Sequence, residues 1–296
     1  MRVTNYKSCL LLVLLAAFIQ MSCLGGSRVN EVFTLGSERG IINSFDGVAI
    51  SYESVGTGDV TLVFVHGWSC DRSYWREQVD TFSEDFRVVT IDLAGHGESG
   101  TDRTAWTIAS YGTDVAVVVD QLDLKRVVLI GHSMGGDVVV SAARLLGDRV
   151  VGLVWVDGYS RLGVMRSAEQ IEVLMSLFRK SFSRGTYTFV RKHFFLPTSN
   201  SDLVERIARD MAAAPPHVAI PSLRSSITND RVVVGELKKL DLPVVSVNRA
   251  SSNPDASSFQ EQGVEVLLVE NVGHFIMMED PEAFNVLLRG ILARML

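Results

Sequence analysis

Cysteine is scarce in this chain, with three residues in 296, and proline is little commoner, with seven. So few thiols exclude a disulfide-stapled scaffold, and the lack of any C-x-x-C or H-x-x-x-H spacing argues against a metal site. Basic residues are in deficit: 28 lysines and arginines face 34 acids, a formal charge of −6, with no Lys/Arg run. A nucleic-acid partner needs a basic patch to meet its phosphates, so that class of partner is set aside. There is no internal repeat and no low-complexity tract. No apolar run approaches the roughly 20 residues that cross a hydrocarbon core. What is left, 47% hydrophobic and 21% charged, is ordinary globular composition, enough for one large domain or one domain with an insertion.

The N-terminus differs in kind from the rest. Arg2 and Lys7 precede an apolar run from about Leu10 to Ile19, and Ser22-Cys23 follows. A short apolar run behind a basic tip reads as an export signal. Cys23, followed by Leu24-Gly25-Gly26-Ser27, resembles the end of a bacterial lipoprotein signal, in which that cysteine becomes the lipidated first residue. Gln20 departs from that pattern, since such signals usually carry leucine there. Residues 1–22 are therefore expected to be a signal peptide and 23–36 a spacer, giving an exported protein. It is either held at the cell-envelope membrane through Cys23 or released as a secreted or periplasmic form. Loss of 1–22 removes two positive charges and no acid, taking the formal charge from −6 to −8. Lipid on Cys23 would leave Cys70 without an intrachain partner.

Beyond the spacer the rhythm is strand, loop, helix. Residues 40–67 read as three strands broken at Asp46-Gly47, a hairpin turn, and at Gly56-Thr57-Gly58. Thr61–Val65 is almost wholly apolar, as a central strand covered on both faces is. Further strands are expected at Phe86–Ile91, Arg126–Ile130, Val150–Val156, Pro243–Val247 and Val264–Val269. Helices are expected at Ser110–Leu122, Met134–Leu146 and Pro281–Met295. Such alternation predicts an α/β fold, a mostly parallel sheet with helices on both faces. Residues 159–240 break the rhythm and read as helical throughout, with Ser201 or Asp202 as an N-cap and Pro215-Pro216 as a break. The organisation that follows is a core of 37–158 and 241–296 with a helical cap at 159–240.

Four glycine-rich motifs fall at expected strand ends, where open α/β sheets bind ligands. Gly131-His132-Ser133-Met134-Gly135 stands between a strand and a helix, the context a nucleophile elbow requires. Its glycines are expected where a sharp turn crowds the backbone, and a helix N-terminus favours negative charge on the serine oxygen. His66-Gly67-Trp68 ends an earlier strand, and the N–H groups of Trp68 and Met134 are positioned in sequence to hold an oxyanion. His274 follows the last strand, between Gly273 and Phe275, and Asp92–Ser99 supplies a fourth loop.

With these motifs the chain resembles the α/β-hydrolase superfamily, specifically its cap-bearing serine hydrolases, over roughly residues 36–296. The resemblance implies Ser133 as nucleophile, His274 as general base, and Trp68 and Met134 as the oxyanion hole. No cofactor is implied, and the partner is a small-molecule acyl substrate. Ser133 stands where dehalogenases and epoxide hydrolases of this superfamily carry a carboxylate. A serine hydroxyl becomes an effective nucleophile once a positioned imidazole takes its proton.

The third member departs from the pattern. Most relatives place their acid shortly after the strand matching Pro243–Val247, where this chain has Arg249 and Ser252, and Asp255 comes three positions late. Asp157, at the end of Val150–Val156, is the alternative, as in certain haloalkane dehalogenases; it is taken first here, with Asp255 behind it. His66 and His96 are expected to hold loop backbone, His132 to be packed, His193 and His217 to lie on the cap surface, and Cys70 to fill space. Of Leu174, Phe178, Phe182, Phe189, Phe194, Phe195 and Met211, two or three are expected to touch substrate and the others to pack the cap. The activity expected is cleavage of an ester or related acyl bond through an acyl-enzyme. Hydrolysis of a C–C, lactone or amide bond on the same triad, or ligand binding without turnover, are the alternatives.

Overall fold

The computed structural model describes residues 36–160, 162–163 and 166–296. The expected signal segment and Cys23 lie outside the described residues. Eight strands form one sheet: β1 (Glu38–Asn43), β2 (Ala49–Val55), β3 (Thr61–Val65), β4 (Arg87–Ile91), β5 (Val127–His132), β6 (Val150–Val156), β7 (Val244–Arg249) and β8 (Val264–Val269). Their order is β1-β2-β4-β3-β5-β6-β7-β8, antiparallel through β1, β2 and β4 and parallel from β4 to β8. The all-apolar sequence of β3 has its reason here: every residue is buried, whereas β1 at the sheet edge is largely exposed.

The helices of the first half are α1 (Arg76–Phe82), α2 (Ile108–Gln121) and α3 (Met134–Leu146). Between β6 and β7 come α4 (Ala168–Lys180), α5 (Phe182–His193), α6 (Ser201–Ala212), α7 (Pro216–Ile227) and α8 (Asp230–Leu237). The chain closes with α9 (Ala256–Gln260), α10 (Ile276–Glu279) and α11 (Pro281–Met295). The chain thus has the expected α/β fold, with the bounds of α3, β6, β8 and α11 as anticipated. Two details differ. Helix α1 was not anticipated, because seven residues are too few to show an apolar stripe. The N-cap of α6 is Asn200 rather than Ser201 or Asp202, its side chain accepting from the N–H groups of Asp202 and Leu203.

Candidate active site

The hand-over from β5 to α3 is a strained joint. Ser133 adopts φ 51° and ψ −119°, in the positive-φ region that L-residues rarely occupy. It is held there by its N–H donating to Val156 O (2.8 Å) and its carbonyl accepting from Gly136 N–H (2.9 Å). The neighbouring glycines are required by space. A Cβ on Gly131 would lie 2.2 Å from Gly135 O, one on Gly135 2.5 Å from the carbonyls of Val65 and His66, and one on Gly67 3.3 Å from Ser133 Cβ. The loop after β3 therefore lies directly against the elbow, and the glycines are what let three backbones meet there.

Asp157 follows β6 in a left-handed conformation (φ 46°), its N–H donating to Val247 O of β7 (2.8 Å). That turn sends its carboxylate to the ends of β7 and of the loop after β8. Oδ1 accepts from Arg249 N–H (3.0 Å), and His274 Nδ1–H donates to Oδ2 (2.6 Å). Both side chains are buried, at 5% and 8% exposure, so the pair is not diluted by water. Asp255, the other candidate acid, is the N-cap of α9, where its carboxylate accepts from Ser257 N–H and its own N–H reaches Ser160 O. The structure thus sets Asp157 on the imidazole and uses Asp255 to start a helix.

Three of the remaining histidines, His66, His96 and His132, contact the backbone. His132 Nε2 meets the carbonyl of His274 (3.0 Å), and burial holds its imidazole well below the usual histidine range. His66 Nδ1–H donates to Gly67 O and its Nε2 accepts from Leu93 N–H, which fixes one tautomer. His96 is buried beside it, while His193 and His217 are exposed on the cap helices. Asp92 organises its glycine loop, accepting from the N–H groups of Arg72 and Glu98. Cys70 is buried, its thiol donating to Trp68 O.

A cavity of about 640 Å³ opens over this constellation, lined by Ser133, Met134, Trp68, Asp157 and His274. This size falls in the range of small-molecule sites. Of the seven cap residues weighed as substrate contacts, Leu174, Phe189, Phe194 and Met211 line it. Phe178 and Phe182 pack instead against the Trp68 ring, with centroids 5.4 and 6.1 Å away, and Phe195 stacks on Phe275. The Trp68 indole N–H donates to Ala219 O of α7 (2.7 Å), tying this loop to the cap.

Several polar residues of the wall escaped sequence reasoning, among them Asp137, Tyr159 and Arg249. Asp137 had a visible signal, an acid inside the aliphatic run of α3. Its Oδ2 accepts from Ser226 Oγ–H (2.8 Å) and Tyr159 O–H (3.3 Å), and Oδ1 has no partner. Burial, the dominant cause, pushes this carboxyl up to about 8. Among the described residues, no group of three His, Cys, Asp or Glu side chains is placed to hold a metal ion.

The sequence matches the alpha/beta hydrolase family over residues 62–286, and the chain belongs to that family. It is 38% identical to a non-heme chloroperoxidase of Streptomyces lividans over 120 residues, 40% of this chain and 44% of that protein. It is 23% identical to 3-oxoadipate enol-lactonase 2 of Acinetobacter baylyi over 256 residues, 83% of this chain and 94% of that protein. The chain spans less than half the length of the first curated relatives it matches, 40%, 30% and 44%. In fold it is similar to a thermophilic esterase from Thermogutta terrifontis, with a TM-score of 0.76 at 24% identity, covering 87% of this chain and 99% of that one.

Proposed function

We propose that the protein is a serine hydrolase that cleaves esters or related acyl compounds of modest size. The observation that carries this reading is the His274–Asp157 pair at 2.6 Å, lining one cavity with the strained Ser133. In the proposed course His274 takes the Ser133 proton through Nε2 while Asp157 holds Nδ1 and offsets the charge that forms on the ring. The serine oxygen adds to the substrate carbonyl. The N–H groups of Trp68 and Met134 then stabilise the oxyanion, a contribution of several kcal/mol where water is excluded. Collapse expels the alcohol, which takes the proton from His274, and water repeats the sequence on the acyl-enzyme to release the acid.

A fluorophosphonate probe tests the reading directly: Ser133 is expected to label in folded protein, with Ser133→Ala blank. A screen of short- to long-chain acyl esters then locates the substrate. Absence of labelling in folded wild type would overturn the proposal. Lactone opening is a second reading on the same residues, supported by the likeness to the enol-lactonase along nearly all its length. Export with lipid on Cys23 is also proposed, on the residue order of the N-terminus. The mass of the mature N-terminal peptide separates it from plain signal cleavage.

A further inference from the structure

We propose that Arg249 and the cap corner His193–Phe194 form a clamp that positions the Asp157–His274 pair, so that the base is set in place only while the cap is seated. The inference rests on the reading of His274 as the base for Ser133. Arg249 ends β7, and it meets the carboxylate twice. Its N–H donates to Asp157 Oδ1 (3.0 Å), and its Nε lies 3.4 Å from Oδ2, the oxygen that His274 Nδ1–H also reaches.

The far end of the same guanidinium points to the cap. Arg249 Nη1 donates to the carbonyls of His193 (3.3 Å) and Phe194 (3.4 Å), at the C-terminus of α5. Helix C-terminal carbonyls are short of donors and carry partial negative charge, so a cation is a natural partner there. The Phe194 carbonyl also accepts the backbone N–H of His274 (2.6 Å). The Phe194 ring lies on the imidazole, with centroids 4.2 Å apart and an interplanar angle of 31°. The contacts close a circuit: Asp157 to His274, His274 to Phe194, Phe194 to Arg249, Arg249 to Asp157.

Each link constrains a different freedom of the base. Asp157 selects which ring nitrogen bears the proton, the Phe194 carbonyl fixes the His274 backbone, and the Phe194 ring limits rotation of the imidazole. Arg249 joins the cap to the carboxylate, and its planar fork serves several acceptors at once in a way an ammonium does not. It acts through Asp157 and Phe194 and is a positioning residue. A misplacement of about 1 Å at a reacting group costs on the order of 10²-fold in rate.

The test uses the full chain and a small acetate ester. Arg249→Met keeps most of the stem and the backbone N–H to Asp157 Oδ1, and removes the guanidinium's contacts with Oδ2 and with the cap carbonyls. It is expected to lower kcat about 30-fold, with KM within about twofold and a fold intact by circular dichroism. The rate of Ser133 labelling by a fluorophosphonate is expected to fall in step, since it depends on the same base. Arg249→Lys restores the charge and is expected to recover part of the loss. Phe194→Leu keeps the carbonyl, removes the ring, and is expected to cost about tenfold in kcat. The double variant is expected to lose less than the product of the single losses, because both act on one circuit. Folded Arg249→Met with kcat within twofold of wild type, a loss confined to KM, or multiplicative losses in the cycle each overturn the clamp. If Arg249→Met does not fold, Phe194→Leu decides: kcat within twofold of wild type overturns the clamp. A folded wild type that neither labels nor turns over fails the hydrolase reading instead.

Discussion

Two aspartates line the same cavity and are treated in opposite ways. Asp157 is met by a backbone amide, an imidazole and a guanidinium. Asp137, one turn along α3 from Ser133, is met by the hydroxyls of Ser226 and Tyr159, and no ion pair reaches it among the described residues. Two other buried acids have a cationic partner: Asp92 pairs with Arg72, and Asp114 with Arg103. The comparison shows that burial alone does not make an acid useful for proton transfer. A carboxylate among cations and amides can hold a charge and orient a base, whereas one among hydroxyls is driven to keep its proton. Asp137, its carboxyl pushed up to about 8 by burial, bridges α3 to α7 and to the segment that opens the cap.

Exchanging each carboxyl for its amide breaks the comparison if it is wrong. Asp157→Asn is expected to lower kcat about 10⁴-fold, the usual cost of an orienting acid; a loss of only a few fold would remove Asp157 from that role. Asp137→Asn is expected to leave kcat within a few fold and to act on stability instead. The folded Asp137 carboxyl lies near 8 against an ordinary 3.8, so the native state keeps a proton that the unfolded chain has released. Its contribution is complete below about pH 4 and is lost as pH rises through about 8. Urea titrations between pH 5 and 9 are expected to show wild type losing at least about 1 kcal/mol relative to Asp137→Asn across that window. Parallel curves would mean that Asp137 is already ionised. The smallest effect belongs to Asp255→Asn, expected to leave kcat within about twofold, with some fraying of α9. A 10⁴-fold loss there would move the acid to the loop after β7.

Much of this site was legible in the residue order, because Gly131, Gly135 and Gly67 mark where backbones crowd and Ser133 and His274 stand at strand ends. The acid was legible only as a pair of candidates. What favours Asp157 is the pairing of β6 with β7, which sets Val156 beside Val247 and brings the next residue to Arg249 and His274. That adjacency is tertiary and leaves no local trace. Arg249 was hidden for the same reason: in sequence it is an arginine at a strand end, and its partners lie 55, 56 and 92 residues away. Asp137 was an omission with a local signal, since an acid directly ahead of Val138–Val140 in a buried helix is costly unless something nearby accepts it.

Gly273 shows how far the cap has written itself into the core. Its backbone is not in the positive-φ region, yet a Cβ there would stand 2.4 Å from the carbonyl of Phe194 and 2.9 Å from the Cα of Phe195. The glycine ahead of His274 is thus demanded by a neighbour some 80 residues earlier in the chain. Cap and core in this protein are consequently not interchangeable modules. A graft that brings in a foreign cap must carry a close carbonyl corner to the same place, or the histidine loses its seat along with its old roof.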